Sequence, residues 1–391
     1  MKILCVTFEK PSRKSGGGLG ILQSLVSVCA NGTVDYVGPE FNLSDFPELS
    51  LSQCFFFNRR TDVITKISNI MRGVPLAYYA SWISISNSLL PDAYDVLYLD
   101  FSRYDFVARW AKVHNLPVVL RVHNIEQDYL ERIAKGKNVS KSKLVAHLIY
   151  EKISKRESYC MELADQIIFL TQEDELRCRK LYGSVVSPGK CNILPVCIHE
   201  HNVLKWESPV KQPYILITGS LWYGANSDGI IWFLQNVWKS IVDQFPEVTL
   251  VVAGARPNQS VRAVCAKSIN CELIDTPKDI SPYFSNASLY IAPVFDGAGM
   301  KVKVAEALSY GIAVIGTPHA MIGYEAAYNV CQVVQSSDGF VQKITSSILE
   351  NFKQPNRKAI MDIFKSNYTM SVSQKAIGEI IRRAVKNATS K

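Results

Sequence analysis

Short runs of β-branched and aliphatic residues alternate with longer stretches of helical spacing along nearly the whole chain. "KILCVTF" predicts an opening strand, "KSGGGLG" a glycine-rich loop, "ILQSLVSVCA" a helix and "TVDYVG" a second strand. This β–loop–α–β order is the start of a parallel sheet. "YDVLYLDF", "PVVLRVHN" and "ADQIIFLT" continue as strands, with helices through "YDFVARWAKVHN" and "QEDELRCRKLYG", the last with a glycine stop. "CNILPVCI" closes this half. The periodicity is lost over residues 199–213, "HEHNVLKWESPVKQP", a polar stretch with two prolines that reads as a linker. Alternation then restarts with "YILITGSL" as a strand. "NSDGIIWFLQNVWKSIVDQF" follows as a helix led by Asn226 or Ser227 as N-cap. "VTLVVAGA", "CELID", the end of "PYFSNASLYIAPV", "IAVIGT" and "NVCQVV" are further strands, and Pro355–Lys391 reads as helices. Two such halves make a two-domain, doubly wound α/β protein, whose ligands bind beyond the carboxyl ends of the strands, in the cleft.

Composition changes this picture little. The 391 residues fit two domains at about 100–200 residues each. A formal charge of +8 suits general solubility, an anionic ligand or an anionic membrane surface. Nucleic acid ranks low, because no recognition helix, finger or aromatic platform is present. Ten cysteines show no CxxC spacing, which argues against zinc and for free thiols in a reducing cytoplasm. The apolar run at the N-terminus is too short for a signal peptide. Gly73–Pro91 is free of charge but carries four serines and one asparagine. It predicts an amphipathic or buried helix, with membrane-surface contact as the minority reading. Arg132–Arg156 holds eight basic residues against Glu151 alone. A solvated helix and loop explain that run, and contact with anionic lipid is the second reading.

Three constellations carry candidate chemistry. Gly16, Gly17 and Gly18 lie between a strand and a helix, where glycine lets the backbone approach a ligand and the helix start offers N–H groups to an anion. Position 21 is Ile21 and the second strand ends in glycine, so the dinucleotide fingerprint is incomplete and hydride transfer is disfavoured. His123 ends a buried strand, with Asn124 and Glu126 on the same rim; it reads as a donor or acceptor at a sugar hydroxyl, or as a hydrogen-bonded structural histidine. "FDGAGMKVKVAEALSYG" repeats the loop-to-helix logic in the second half. Lys301 and Lys303 open a helix, where cations are unfavourable unless a bound anion offsets the cost. Lys303 and Glu306 share a face, so the pair reads either as an ion pair on a solvated surface or as a diphosphate lysine beside a ribose-binding carboxylate.

In their order and spacing, "SGGG", "RVHNIE", "GSLWYGANSDGIIWFLQNVW", "LVVAGARP", "NASLYIAPVFDGAGMKVKVAEALSYGIAVIGT" and "MIGYE" resemble family-four retaining glycosyltransferases of the GT-B fold. The resemblance implies two Rossmann-like domains facing a cleft, with boundaries at 1–205 and 206–365, and a last helix, 366–391, crossing back onto the first domain. It also implies a nucleotide-sugar donor and no metal. Glu306 matches the second glutamate of the family's pair, which contacts the donor ribose. The first glutamate falls on Ala298, as in a "GAGxKxK" variety of the family, which leaves Asp296 and the backbone of Gly297, Ala298, Gly299 and Met300 as candidates for the sugar contact. No lysine or arginine stands between Tyr214 and Val237, where many members place their phosphate-binding cations. Lys301 or Lys303, with Arg256, would supply that charge, Lys303 being preferred. His123 matches the active-site histidine, Gly16–Gly18 the loop facing the diphosphate and acceptor, Gly219 the donor loop, and Asp275 and Thr276 the base contact.

The expected activity is transfer of a sugar from a UDP- or GDP-linked donor to a glycan or lipid-linked acceptor hydroxyl, with retention, in surface polysaccharide synthesis. The expected site is cytoplasmic, with peripheral contact at the inner face of the membrane as a further reading. The nucleotide sugar is a substrate, and no cofactor is expected. A catalytically silent relative that binds a nucleotide sugar or a partner is the alternative, and a nucleotide-sugar epimerase of similar fold is a third.

Overall fold

A computed structural model describes residues 1–13, 16–57, 76–135, 141–199, 214–297, 299–350, 352 and 357–389. The chain divides into two compact units, one comprising Met1–Val196 with Met370–Lys391 and the other Cys197–Thr369. Most of the stretch read as a linker, residues 200–213, lies outside the described residues.

Among the described residues, the first unit holds a parallel sheet of β1 (Lys2–Val6), β2 (Thr33–Gly38), β3 (Leu51–Phe56), β4 (Val96–Asp100), β5 (Val118–Val122), β6 (Gln166–Phe169) and β7 (Cys191–Ile193). Their spatial order is β3-β2-β1-β4-β5-β6-β7. Every residue of β4, β5 and β6 is buried, as expected of strands covered on both faces. β3 has no counterpart in the sequence reading. It is an edge strand with most residues exposed, so its side chains carry no burial pattern. The helix Met370–Thr389 packs on the helix Gly16–Cys29 within this unit, where Ser27 Oγ and Ser373 Oγ lie 2.8 Å apart and Asn31 Nδ2 donates to Gln374 O at 2.8 Å.

The second unit holds β8 (Tyr214–Ser220), β9 (Thr249–Ala255), β10 (Cys271–Asp275), β11 (Leu289–Ala292), β12 (Val314–Gly316) and β13 (Gln332–Val333), all parallel. Their order is β10-β9-β8-β11-β12-β13 among the described residues. The long helix after β8 starts at Gly224, not at the Asn226 or Ser227 cap expected from sequence. Those two side chains bond backward instead, Asn226 Nδ2 to Ser220 O at 3.1 Å and Ser227 Oγ to Gly224 O at 3.1 Å. A π-turn over Leu234–Trp238 joins its first part, Gly224–Phe233, to its second, Lys239–Gln244. All ten cysteines are free thiols. Among the described residues, no helix is long and apolar enough to cross a membrane.

Candidate functional site

In each sheet the strand order reverses at one point, and open α/β sheets place their ligand crevice there. In the second unit that point lies between β8 and β11, flanked by the loop after β8 and the segment from Pro293 to Lys301. Gly219, near the end of β8, pairs in register with Gly254 of β9. After β11 the chain turns through Gly297, at φ +104°, and Gly299, at φ +67°. That region of φ is open to glycine and strained for other residues. Asp296 Oδ1 accepts the Gly297 N–H at 2.6 Å. Ala298 lies outside the described residues. Met300 is buried against Gly323.

The cations predicted to meet a diphosphate all have partners within the chain. Lys301 Nζ donates to Gly297 O at 3.0 Å and to Gly299 O at 2.7 Å, so it ties the glycine turn from within. Lys303 Nζ lies 2.7 Å from Glu306 Oε2, one turn into the helix Val302–Ser309, with the two side chains 38% and 19% exposed. This is the ion pair that the sequence offered as the alternative to a diphosphate and ribose pair, although Glu306 is largely shielded from solvent. The Arg256 guanidinium sits over the half-exposed Trp222 ring, 4.9 Å from its centroid. Arg256 and Thr276 both adopt positive φ, and Arg256 N–H donates to Thr276 Oγ1 at 2.9 Å. Thr276 Oγ1 in turn donates to Asp275 Oδ1 at 2.7 Å. That bond and the Arg262 ion pair hold the Asp275 carboxyl below its usual range. The structure thus groups Asp296, Gly297, Gly299, Met300, Lys301, Lys303 and Glu306 on one loop and helix start, and Arg256, Asp275 and Thr276 at the ends of β9 and β10.

In the first unit the order reverses between β1 and β4. Gly16, Gly17 and Gly18 open the helix Gly16–Cys29, and Gly18 O accepts the Ser12 N–H at 2.9 Å. Glu9 approaches Gly17 so closely that a Cβ there would lie 2.5 Å from Glu9 Oε2, so a carboxylate already stands beside this helix start. His123 follows β5 with only 6% of its surface exposed. Its Nε2 lies 2.6 Å from Asp100 Oδ1, at the end of β4, so Nε2 carries the proton. Ser24 Oγ donates to the same carboxylate oxygen at 2.9 Å, and the Phe101 ring lies 4.8 Å from the imidazole. Gly20 leaves room for the other ring edge, since a Cβ there would meet His123 Nδ1 at 2.8 Å.

A second buried network adjoins the histidine. Glu126, 1% exposed, pairs with Arg103 at 3.3 Å. Burial pushes the Glu126 carboxyl up to about 7; Arg103 pulls it back, and Glu157 and Glu9 add to the rise. Glu157 accepts from Ser102 Oγ at 2.6 Å, Tyr182 Oη at 2.6 Å, Glu126 N at 3.1 Å and Gln127 N at 3.2 Å. Two of these donors are the first N–H groups of the helix Glu126–Lys135, which lack partners within the helix. Burial raises Glu157 above the usual carboxylate range, against the pull of these four bonds.

Asp100, Arg103 and Glu157 were missed in the sequence. The first two end or follow a strand adjacent in the sheet to that of His123, a position readable once the strand order is known. Of the basic run, Lys152 and Lys155 are exposed and Arg156 NH1 bonds Asp105 Oδ1 at 2.6 Å; the side chains from Arg132 to Tyr150 lie outside the described residues. Within the uncharged stretch, the helix Leu76–Ser86 buries Trp82 and exposes Tyr79 and Ile83.

Residues 212–350 match the model of the family Glycosyl transferases group 1. An uncharacterised 44.6 kDa protein in the cps region of Klebsiella pneumoniae is 24% identical over 212 residues, which cover 51% of this chain and 51% of that protein. The chain thus spans about half the length of this curated relative. Similar solved structures include a glycosyltransferase from Rickettsia africae, at TM-score 0.69 and 12% identity over 99% of both chains. Anabaena Alr3699/HepE in complex with UDP superposes at TM-score 0.66 and 12% identity, over 98% of this chain and 100% of that one. Sucrose-phosphate synthase from Thermosynechococcus elongatus superposes at 0.70 and 13%, over 99% of both. These likenesses show the fold: an α/β chain of the GT-B type, built of two Rossmann-like units.

Proposed function

We propose that this chain is a retaining glycosyltransferase that moves a sugar from a nucleoside-diphosphate donor to a glycan or lipid-linked hydroxyl in surface polysaccharide synthesis. The observation that carries the reading is the Gly297–Gly299 turn. Its positive φ angles set a tight loop at the strand-order reversal of the second unit, immediately before a helix start bearing Lys303 and Glu306. The match of residues 212–350 to Glycosyl transferases group 1 encloses this segment. The UDP bound to the similar Anabaena structure makes UDP the first nucleotide to test, and the cps-region relative supports a polysaccharide product.

Breaking a sugar–phosphate bond builds negative charge on the departing diphosphate. Fixed backbone dipoles and a lysine stabilise that charge without reorganising. In this reading Lys303 swings from Glu306 to the phosphate, the freed Glu306 carboxylate takes the ribose hydroxyls, and Asp296 with the turn's backbone meets the sugar. Asp275 and Thr276 line the base, Arg256 adds charge towards the diphosphate, Gly219 is in the donor loop, Gly16–Gly18 face the diphosphate and acceptor, and His123 meets a sugar hydroxyl. The acceptor attacks the face the leaving group departs from, and donor phosphate takes its proton. The reaction needs no metal, so EDTA leaves turnover unchanged. Contact of the basic Lys152 and Lys155 surface with anionic lipid brings the enzyme to a lipid-linked acceptor.

A catalytically silent nucleotide-sugar binder is the second reading, favoured by the ion pair that occupies both Lys303 and Glu306. A panel of UDP-, GDP- and dTDP-sugars tests both. The matching donor stabilises the fold by about 3 kcal/mol at a few hundred times its Kd, and turnover with retained anomeric configuration follows. No shift with any donor removes the nucleotide reading, and a shift without turnover towards any acceptor selects the silent one.

A further inference from the structure

The segment after β12 is stitched to the glycine turn after β11. Thr317 Oγ1 donates to Val294 O, His319 Nε2 contacts Gly297 O at 2.8 Å, and Tyr324 Oη donates to Lys301 O at 3.0 Å. Thr317 is held in place by the Ala320 N–H at 3.0 Å. These contacts run in parallel, so one loop backs the other along its length. A carbonyl oxygen can only accept, so His319 must carry its proton on Nε2. Gly297 O therefore receives two donors, His319 Nε2 and Lys301 Nζ, the latter at 3.0 Å.

We propose that His319 is a positioning residue for the diphosphate-binding turn, acting through the Gly297 carbonyl. This rests on the reading of that turn as the diphosphate seat. A phosphate oxygen is repelled by the negative end of a carbonyl dipole, and a glycine turn at φ +104° and +67° has no side chain to keep its carbonyls turned away. His319, from the segment after β12, and Lys301, from the turn's own end, do this. Lys301 thereby prepares the backbone rather than contacting the anion, which leaves Lys303 as the lysine free to exchange its carboxylate partner for phosphate. His319 needs only an N–H at its Nε2 position, so a glutamine that reaches the same carbonyl substitutes for it.

Three variants and two probes decide the matter: His319→Ala, His319→Gln and Lys301→Met, each with UDP and with uridine. His319→Ala weakens UDP about tenfold, the scale of one lost hydrogen bond near a charge, while uridine, which lacks phosphate, binds as in the wild type. His319→Gln stays within about threefold of wild type for UDP, and Lys301→Met behaves like His319→Ala. Amide exchange over residues 295–301 speeds up in His319→Ala and not in His319→Gln. UDP affinity unchanged in His319→Ala, or equal losses for UDP and uridine, overturns the proposal. If the wild type binds none of UDP, GDP and dTDP, the nucleotide reading itself fails and the role towards diphosphate with it. Amide exchange then still shows whether His319 holds this turn.

Discussion

The two strand-order reversals present opposite kinds of surface. In the first unit the polar groups are side chains withdrawn from water: His123 on Asp100, Glu126 on Arg103, and Glu157 under four donors. In the second unit the rim is backbone and less buried side chains: a glycine turn, the exposed Trp222 and Arg256 stack, and a partly exposed Lys303 paired with the largely shielded Glu306. A buried network keeps its geometry because each member would be costly to leave unpaired. An exposed rim can exchange its internal partners for a ligand's at little cost, because water already competes for them. Substitutions in the first unit should therefore register as stability, and those in the second as affinity.

Glu157 gives the largest expected effect. Glu157→Ala strands the Ser102 and Tyr182 hydroxyls and the two N–H groups that open the helix Glu126–Lys135. Urea unfolding should show a loss of about 3–5 kcal/mol, the scale of leaving several buried neutral donors without their acceptor, with UDP affinity unchanged. A loss below about 1 kcal/mol would break the contrast on its buried side.

Glu126 sharpens the same side through pH. Its carboxyl ionises near 4.5 in the unfolded chain and near 7 in the folded one. Between these values the folded state holds the extra proton, so rising pH removes stability across that window. Glu126→Gln stays neutral throughout. The unfolding free energy of wild type minus variant should therefore fall by about 3 kcal/mol from pH 4.5 to 7 and level off above. A flat difference would mean that Glu126 is solvated like an ordinary surface acid.

Strands buried on both faces were readable from their apolar runs, and β1, β2, β4, β5, β6, β8 and β9 lie within the segments expected; so does the edge strand β10, though none of its residues is buried. β3 was not, because an exposed edge imposes no pattern on its side chains. The candidate site divides in the same way. Glycines that need positive φ and a histidine at a strand end announce themselves locally, as Gly297, Gly299 and His123 do. Their partners do not. Asp100 stands 23 residues before His123, and His319 stands 22 after Gly297. Parallel strands bring such residues together only after a helical crossover, so no fixed spacing marks them. The pairing of Lys303 with Glu306 was readable for the opposite reason, since residues three apart on a helix meet without help from the fold.

Glu306 tests the exposed side, with the smallest effect of the three. Its side chain is 19% exposed with Oε2 shielded from water, and its partner lysine is 38% exposed, so the pair meets water through the lysine end. Glu306→Ala should cost the free protein less than about 1 kcal/mol. If Glu306 is the ribose clamp, the same change weakens UDP about 10–50-fold, or roughly 1.5–2.5 kcal/mol, because a carboxylate accepting from ribose hydroxyls is lost. The base does not matter to that contact, so UDP and GDP should weaken by the same factor, whereas uracil alone should bind as before. Freeing Lys303 works in the other direction, because a lysine released from its carboxylate has more charge to offer a phosphate. Inorganic pyrophosphate, which has phosphates and no ribose, should therefore bind the variant as well as the wild type or slightly better. Isothermal titration with UDP, uracil and pyrophosphate reads these terms separately. Equal weakening of UDP and pyrophosphate would move Glu306 from the ribose to the upkeep of the diphosphate seat.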